Sequence, residues 1–67
     1  EKPAVILELK VAVSYRDMET KSRMAVEQIN LKRYEEELVQ DGYEKVLCYG
    51  IAFYKKNCKI NLVVKDV

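Results

Sequence analysis

Apolar and polar positions divide this chain into blocks with different periods. Residues 4–13 read Ala4, Val5, Ile6, Leu7, Glu8, Leu9, Lys10, Val11, Ala12, Val13, an aliphatic run broken by only two charges. Its richness in β-branched and aliphatic residues predicts a strand buried on both faces. Side chains alternate across a strand, so Glu8 and Lys10 are expected to project from the same face.

The period then changes. Ser14 to Asp17 is a polar break with capping-box spacing, and Asp17 is itself an alternative N-cap. A helix is expected from about Asp17, with Met18, Ser22, Ala25 and Ile29 as its inward stripe. Asn30 interrupts it. A second helix, or a bent continuation, then carries Leu31, Tyr34, Leu38 and Val39 inward and Glu35, Glu36 and Glu37 outward, and Gly42 suits the position just past its end. The helical region spans residues 17–41.

Period-two alternation returns over residues 45–54. Leu47, Tyr49, Ile51 and Phe53 share one face, and the small residues Val46, Cys48, Gly50 and Ala52 share the other. Residues 58–65 form a last strand, with Ile60, Leu62 and Val64 opposite in facing to Asn61 and Val63. Residues 55–57 are the expected hairpin turn, with Asn57 taking the positive φ. The order is strand, helix, helix, strand, strand. A strand–helix–strand unit gives parallel neighbours, and a hairpin gives an antiparallel pair. The expected fold is therefore α/β, a small three-stranded mixed sheet with helix on one face, in one domain spanning residues 1–67.

Composition narrows the chemistry. The chain has 67 residues, 49% hydrophobic and 34% charged, which is a globular composition. Its net charge of +1 neither requires nor excludes nucleic acid. The absence of His removes His-based acid–base chemistry, Ser–His nucleophiles and most catalytic zinc sites. Cys48 and Cys58 lack metal-ligand spacing. The hairpin places Cys48 opposite a position near Lys65 and away from Cys58, so free thiols, a reducing compartment and a cytoplasmic location are expected. No apolar run approaches the ~20 residues of a membrane span. The chain starts on Glu1 and not on Met, so an excised fragment or processed product is expected.

A charge inside an apolar strand is costly unless it is paired or used. Glu8 has the oxygen ligands that Mg²⁺ or Mn²⁺ prefers, and Lys10 on the same face suits positioning of a water and stabilisation of phosphate charge. The alternative is a structural ion pair between the two. Gln28 is either a hydrogen-bonding group near this site or a boundary residue. Tyr34, with Lys32 and Arg33, is either a contact to a nucleic-acid backbone or a packing residue with a wet hydroxyl. Lys55, Lys56 and Lys59 at the hairpin either attract phosphate or guard an edge against aggregation.

With these residues in view, the chain resembles the second half of a PD-(D/E)xK nuclease-superfamily domain. It is most similar to the nuclease-like domain that follows an AAA-ATPase-like region in certain bacterial proteins. The resemblance lies in "AVILELKVA" and "AVEQINLKRYEEELVQDGYEKVLCYGIAFYKK", which together cover most of the sequence. It implies a restriction-endonuclease-like fragment, with Glu8 as metal-binding acid, Lys10 as catalytic lysine, and Gln28 and Tyr34 as accessory residues. It also implies Mg²⁺ or Mn²⁺ as cofactor of the complete domain and nucleic acid as substrate. The family's other metal-binding Asp lies on a preceding strand. Glu1 is too near the strand start for that role, and Asp17 and Glu19 do not match the motif. This sequence therefore carries half of a two-carboxylate site and is not expected to be an efficient nuclease by itself. The alternative function is a non-catalytic interaction module, self-associating through the edge of the 4–13 strand.

Overall fold

A computed structural model describes residues 2–67; Glu1 lies outside the described residues. Strand β1 (Ala4–Val11) leads to helix α1 (Tyr15–Gln28), a single 3₁₀ turn (Leu31–Arg33) and a short helix α2 (Glu35–Gln40), and strands β2 (Lys45–Tyr54) and β3 (Asn57–Asp66) follow. The sheet order is β1-β2-β3, with β1 parallel to β2 and β2 antiparallel to β3. This is the expected mixed sheet, with α1 as the crossover.

The strand expected over 4–13 stops at Val11, although the Ala12 N–H still donates to the Phe53 carbonyl at 2.7 Å. The helix begins at Tyr15, two residues before the expected start, because Ser14 is the cap. Its Oγ accepts the Asp17 N–H at 3.0 Å, while the Asp17 carboxylate accepts the Val13 N–H at 2.9 Å. Asp17 thus completes the cap from inside the helix and is not the N-cap itself. At the end of α2, the Gly42 N–H donates to Val39 and the Tyr43 N–H to Leu38, both at 3.0 Å. Gly42 takes φ +84°, as its position past the helix end requires.

Helix α1 lies on the face formed by the small residues of β2. Val46, Cys48 and Ala52 are buried there, and Ser22, Ala25 and Val26 of α1 are buried against them. The expected stripe omitted Val26, which widens the contact. Gly50 makes the closest approach: a Cβ added to it would lie 2.6 Å from the Val26 backbone nitrogen. The cluster of Ile29, Val46 and Cys48 is extended by Ala4, Ile6, Leu31 and Leu38. Tyr34 and Val39 were expected inward but are 41% and 56% exposed, because the 3₁₀ turn and the six residues of α2 rotate them out of the α1 stripe.

The largest departure concerns β1, which is not buried on both faces. Its odd-numbered residues lie on the face away from α1, and Val5, Leu7, Leu9 and Val11 are all exposed. Phe53, Ile60, Leu62 and Val64 continue this open apolar face across β2 and β3. An apolar run reports affinity for burial, but it does not supply the layer that buries it.

The hairpin register also differs from expectation. Tyr54 pairs with Asn57, so the loop is Lys55–Lys56, and Lys55, not Asn57, takes the positive φ of 55°. Cys48 consequently faces Val63, and Val46 faces Lys65. Cys48 is buried and Cys58 exposed, and both are free thiols.

One polar clamp ties α1 to β3. The Asn61 Nδ2 donates to the buried Ser22 Oγ and to the Glu19 carboxylate, and Lys59 and Arg23 lie 3.3 and 3.0 Å from the same carboxylate. These donors, Arg23 first, hold Glu19 well below the ordinary carboxylate range, at about 2. A depressed carboxylate pKa gives stability that is present above the unfolded value and is lost as pH falls through the folded one. Acid is therefore expected to loosen α1 from β3 between the ordinary value of 4.5 and about 2. Helical circular dichroism followed through an acid titration should show this step, and Glu19→Gln should flatten it. An unchanged step in that variant would assign the transition to other groups.

Candidate functional site

The parallel register sets the site. Glu8 pairs with Gly50, and Lys10 with Ala52. Both charged side chains stand on the α1 face, as alternation requires, beside the smallest residues of β2. Glu8 and Lys10 are both half-buried. Cα atoms two residues apart on a strand are separated by about 7 Å. Neither side chain takes part in an ion pair within 4 Å among the described residues. The structural ion pair considered from the sequence is therefore not formed.

The cap at the C-terminal end of α1 faces this strand. A cavity of about 110 Å³ is lined by Glu8, Gln28, Asn30, Arg33 and Tyr34, over an apolar base that includes Ile6 and Ile29. Gln28 is the last residue of α1. Ile29 is buried beside it, and its N–H closes the helix on the Val26 carbonyl at 3.2 Å. This buried cap holds Gln28 at the cavity although its side chain is exposed. Tyr34 follows the 3₁₀ turn, its N–H bonded to the Leu31 carbonyl at 3.0 Å. Three of the four residues singled out from the sequence, Glu8, Gln28 and Tyr34, thus line one cavity. Lys10 lies farther along the same face and is not among its lining residues.

Glu8 is the one carboxylate lining this cavity among the described residues. No group of three or more His, Cys, Asp or Glu side chains is placed to hold a metal ion among them. Asp17 is engaged as a helix cap and Glu19 in the clamp to β3, so neither adds a ligand. Asn30, read from the sequence only as a break between helices, also lines the cavity. Its signal was its position between the Gln28–Ile29 pair and Tyr34.

A family model described as the PD-(D/E)XK nuclease superfamily matches residues 1–62. The chain belongs to this superfamily. The α/β order and the small mixed sheet agree with the restriction-endonuclease-like architecture expected from the sequence. PD-(D/E)XK nucleases are in general dependent on divalent metal ions. Comparisons with curated proteins and with solved structures gave no match. Among the described residues, no helix is long and apolar enough to cross a membrane.

Proposed function

We propose that this PD-(D/E)XK chain carries the E-x-K portion of a metal-dependent phosphodiesterase acting on nucleic acid. The observation that supports this is a half-buried carboxylate and ammonium on one sheet face, without an ion pair among the described residues, with Gln28 and Tyr34 lining the same cavity as Glu8. Such groups are costly to keep unless a ligand uses them. Glu8 would hold the ion, since Mg²⁺ and Mn²⁺ are hard cations that prefer carboxylate oxygens. When bound, such an ion supplies charge neutralisation at a phosphoryl oxygen and lowers the pKa of a bound water. Lys10 orients the attacking water and stabilises the phosphate charge. Gln28 and Tyr34 position the substrate from the helical side.

With a single carboxylate, binding is expected to be weak, so the test reads proximity and not affinity. Substoichiometric Mn²⁺ should broaden the amide resonances of residues 6–10 and 28–34 ahead of the rest. Glu8→Gln should abolish that selectivity. Equal broadening in the variant would remove Glu8 as the ligand.

The alternative, a self-associating module, is favoured by one specific observation. Among the described residues β1 pairs only with β2, which leaves its outer edge open beside the exposed apolar face. On this reading, sedimentation shows dimers forming between about 1 and 100 μM. A monomer throughout that range rejects it.

A further inference from the structure

The cavity beside Glu8 holds a cation that the E-x-K reading does not use. Arg33 lines it together with Glu8 and Gln28. It forms no ion pair within 4 Å with a carboxylate among the described residues, although Glu35, Glu36 and Glu37 follow closely in sequence. Its backbone is fixed. The Arg33 N–H donates to the Asn30 carbonyl at 3.2 Å, closing the 3₁₀ turn. Leu31, two residues earlier, is half-buried against the Ile29, Val46 and Cys48 cluster and anchors that turn. Lys32, between them, is exposed and does not line the cavity. Arg33 is exposed as well, so the two neighbouring cations differ in one respect: Arg33 lines the cavity and Lys32 does not.

A guanidinium that lines a cavity and leaves unpaired its one carboxylate among the described residues is suited to an anion arriving from outside. Its planar fork matches two oxygens of a phosphodiester. We infer that Arg33 binds a backbone phosphate of a nucleic-acid substrate at the Glu8 cavity and so sets where the strand lies relative to Glu8 and Lys10. The assignment rests on the nucleic-acid reading above and adds the residue that grips the substrate. Arg33 is a binding and positioning residue; it takes no part in bond breaking.

The test is binding of a labelled single strand of ~20 nucleotides to the full chain, followed by fluorescence anisotropy in EDTA across a salt series. Working without metal separates phosphate contact from metal ligation. Arg33→Gln should weaken binding about tenfold and reduce the slope of log K against log salt by about 0.7, the loss of one phosphate contact on a single strand. Arg33→Lys should keep the slope while binding more weakly, since it keeps the charge and loses the fork. Lys32→Gln, an equal change in net charge, should move both quantities much less. Circular dichroism spectra matching the parent establish that the variants are folded. If Arg33→Gln and Lys32→Gln act alike, or if Arg33→Gln leaves the slope unchanged, the inference fails while the nucleic-acid reading stands. If the unmodified chain binds neither the single strand nor its duplex, both fail.

Discussion

Replacing Gly50 with alanine is expected to destabilise the chain by about 2–3 kcal/mol, and replacing it with valine to leave it largely unfolded. The cause is the seat of α1 on β2. A Cβ at Gly50 would meet the Ser22 carbonyl oxygen, the Val26 backbone nitrogen at 2.6 Å and the Val26 Cγ2 at 2.6 Å. Two of the three atoms are helix backbone, so a rotamer change cannot relieve the clash. The helix must lift, and lifting it exposes Ala25, Val26 and Cys48, which are among the few buried residues. An opposing effect exists, since alanine and valine both favour a strand more than glycine does, but it is worth about 1 kcal/mol or less. The steric term therefore decides the sign. For a domain of this size the alanine variant should melt roughly 10–20 °C lower. Gly42 is the control: a Cβ there meets nothing within 4 Å, and only its φ of +84° resists substitution. Gly42→Ala should cost about 1 kcal/mol. If thermal denaturation followed by circular dichroism ranks Gly42→Ala as the more damaging, the close seat of α1 is wrong.

The same glycine bears on the site. Gly50 is the register partner of Glu8 and has no side chain to crowd it. By letting α1 sit low on the sheet, it brings the end of that helix, with Gln28, to the cavity that Glu8 lines. A small residue in the strand thus sets the height of the helix that carries Gln28.

What could be read from the sequence follows from the range of the interactions involved. The bounds of β2 were legible because large and small residues alternate without interruption from Val46 to Phe53, a local pattern with one structural solution. The shared face of Glu8 and Lys10 was legible for the same reason. The end of α2 was legible because Gly42 is a local signal. The open face of β1 was not legible, because covering a strand requires another element and the strand's own residues do not encode one. The clamp of Asn61 on Glu19 joins residues 42 apart and depends on the β2–β3 register, which placing the turn at residues 55–57 displaced. Arg33 could be named as a cation near Tyr34. Its separation from Lys32 emerged only with the 3₁₀ turn, which points adjacent residues in different directions. The family resemblance led to Glu8, Gln28 and Tyr34, and the geometry brought those three to one cavity without ranking their roles.

Any cleavage of nucleic acid by this chain is expected to fall by about 10²–10³-fold in Glu8→Ala and in Lys10→Ala alike. The two losses have different physical origins. Among the described residues, alanine at position 8 removes the one carboxylate lining the cavity and no neighbouring acid replaces it, since Asp17 and Glu19 are held elsewhere. On the proposed reading, alanine at position 10 leaves metal proximity intact and removes the cation that would face the developing charge, an interaction stronger in the transition state than in the ground state. The Mn²⁺ broadening pattern should therefore be lost in the first variant and retained in the second, which separates ligation from charge stabilisation. Nicking of supercoiled plasmid suits the measurement, because one event per molecule changes its mobility and a slow enzyme still registers. Neither substitution threatens the fold: both side chains are half-buried, form no ion pair within 4 Å among the described residues, and alanine fits a strand position beside Gly50 or Ala52. A drop in nicking with an unchanged melting temperature thus reports on chemistry. Undiminished nicking by both variants would remove Glu8 and Lys10 from the mechanism. Absence of nicking by the unmodified chain in Mg²⁺ and in Mn²⁺ would agree with a site that has one carboxylate among the described residues, and the Mn²⁺ broadening pattern would then carry the test of Glu8.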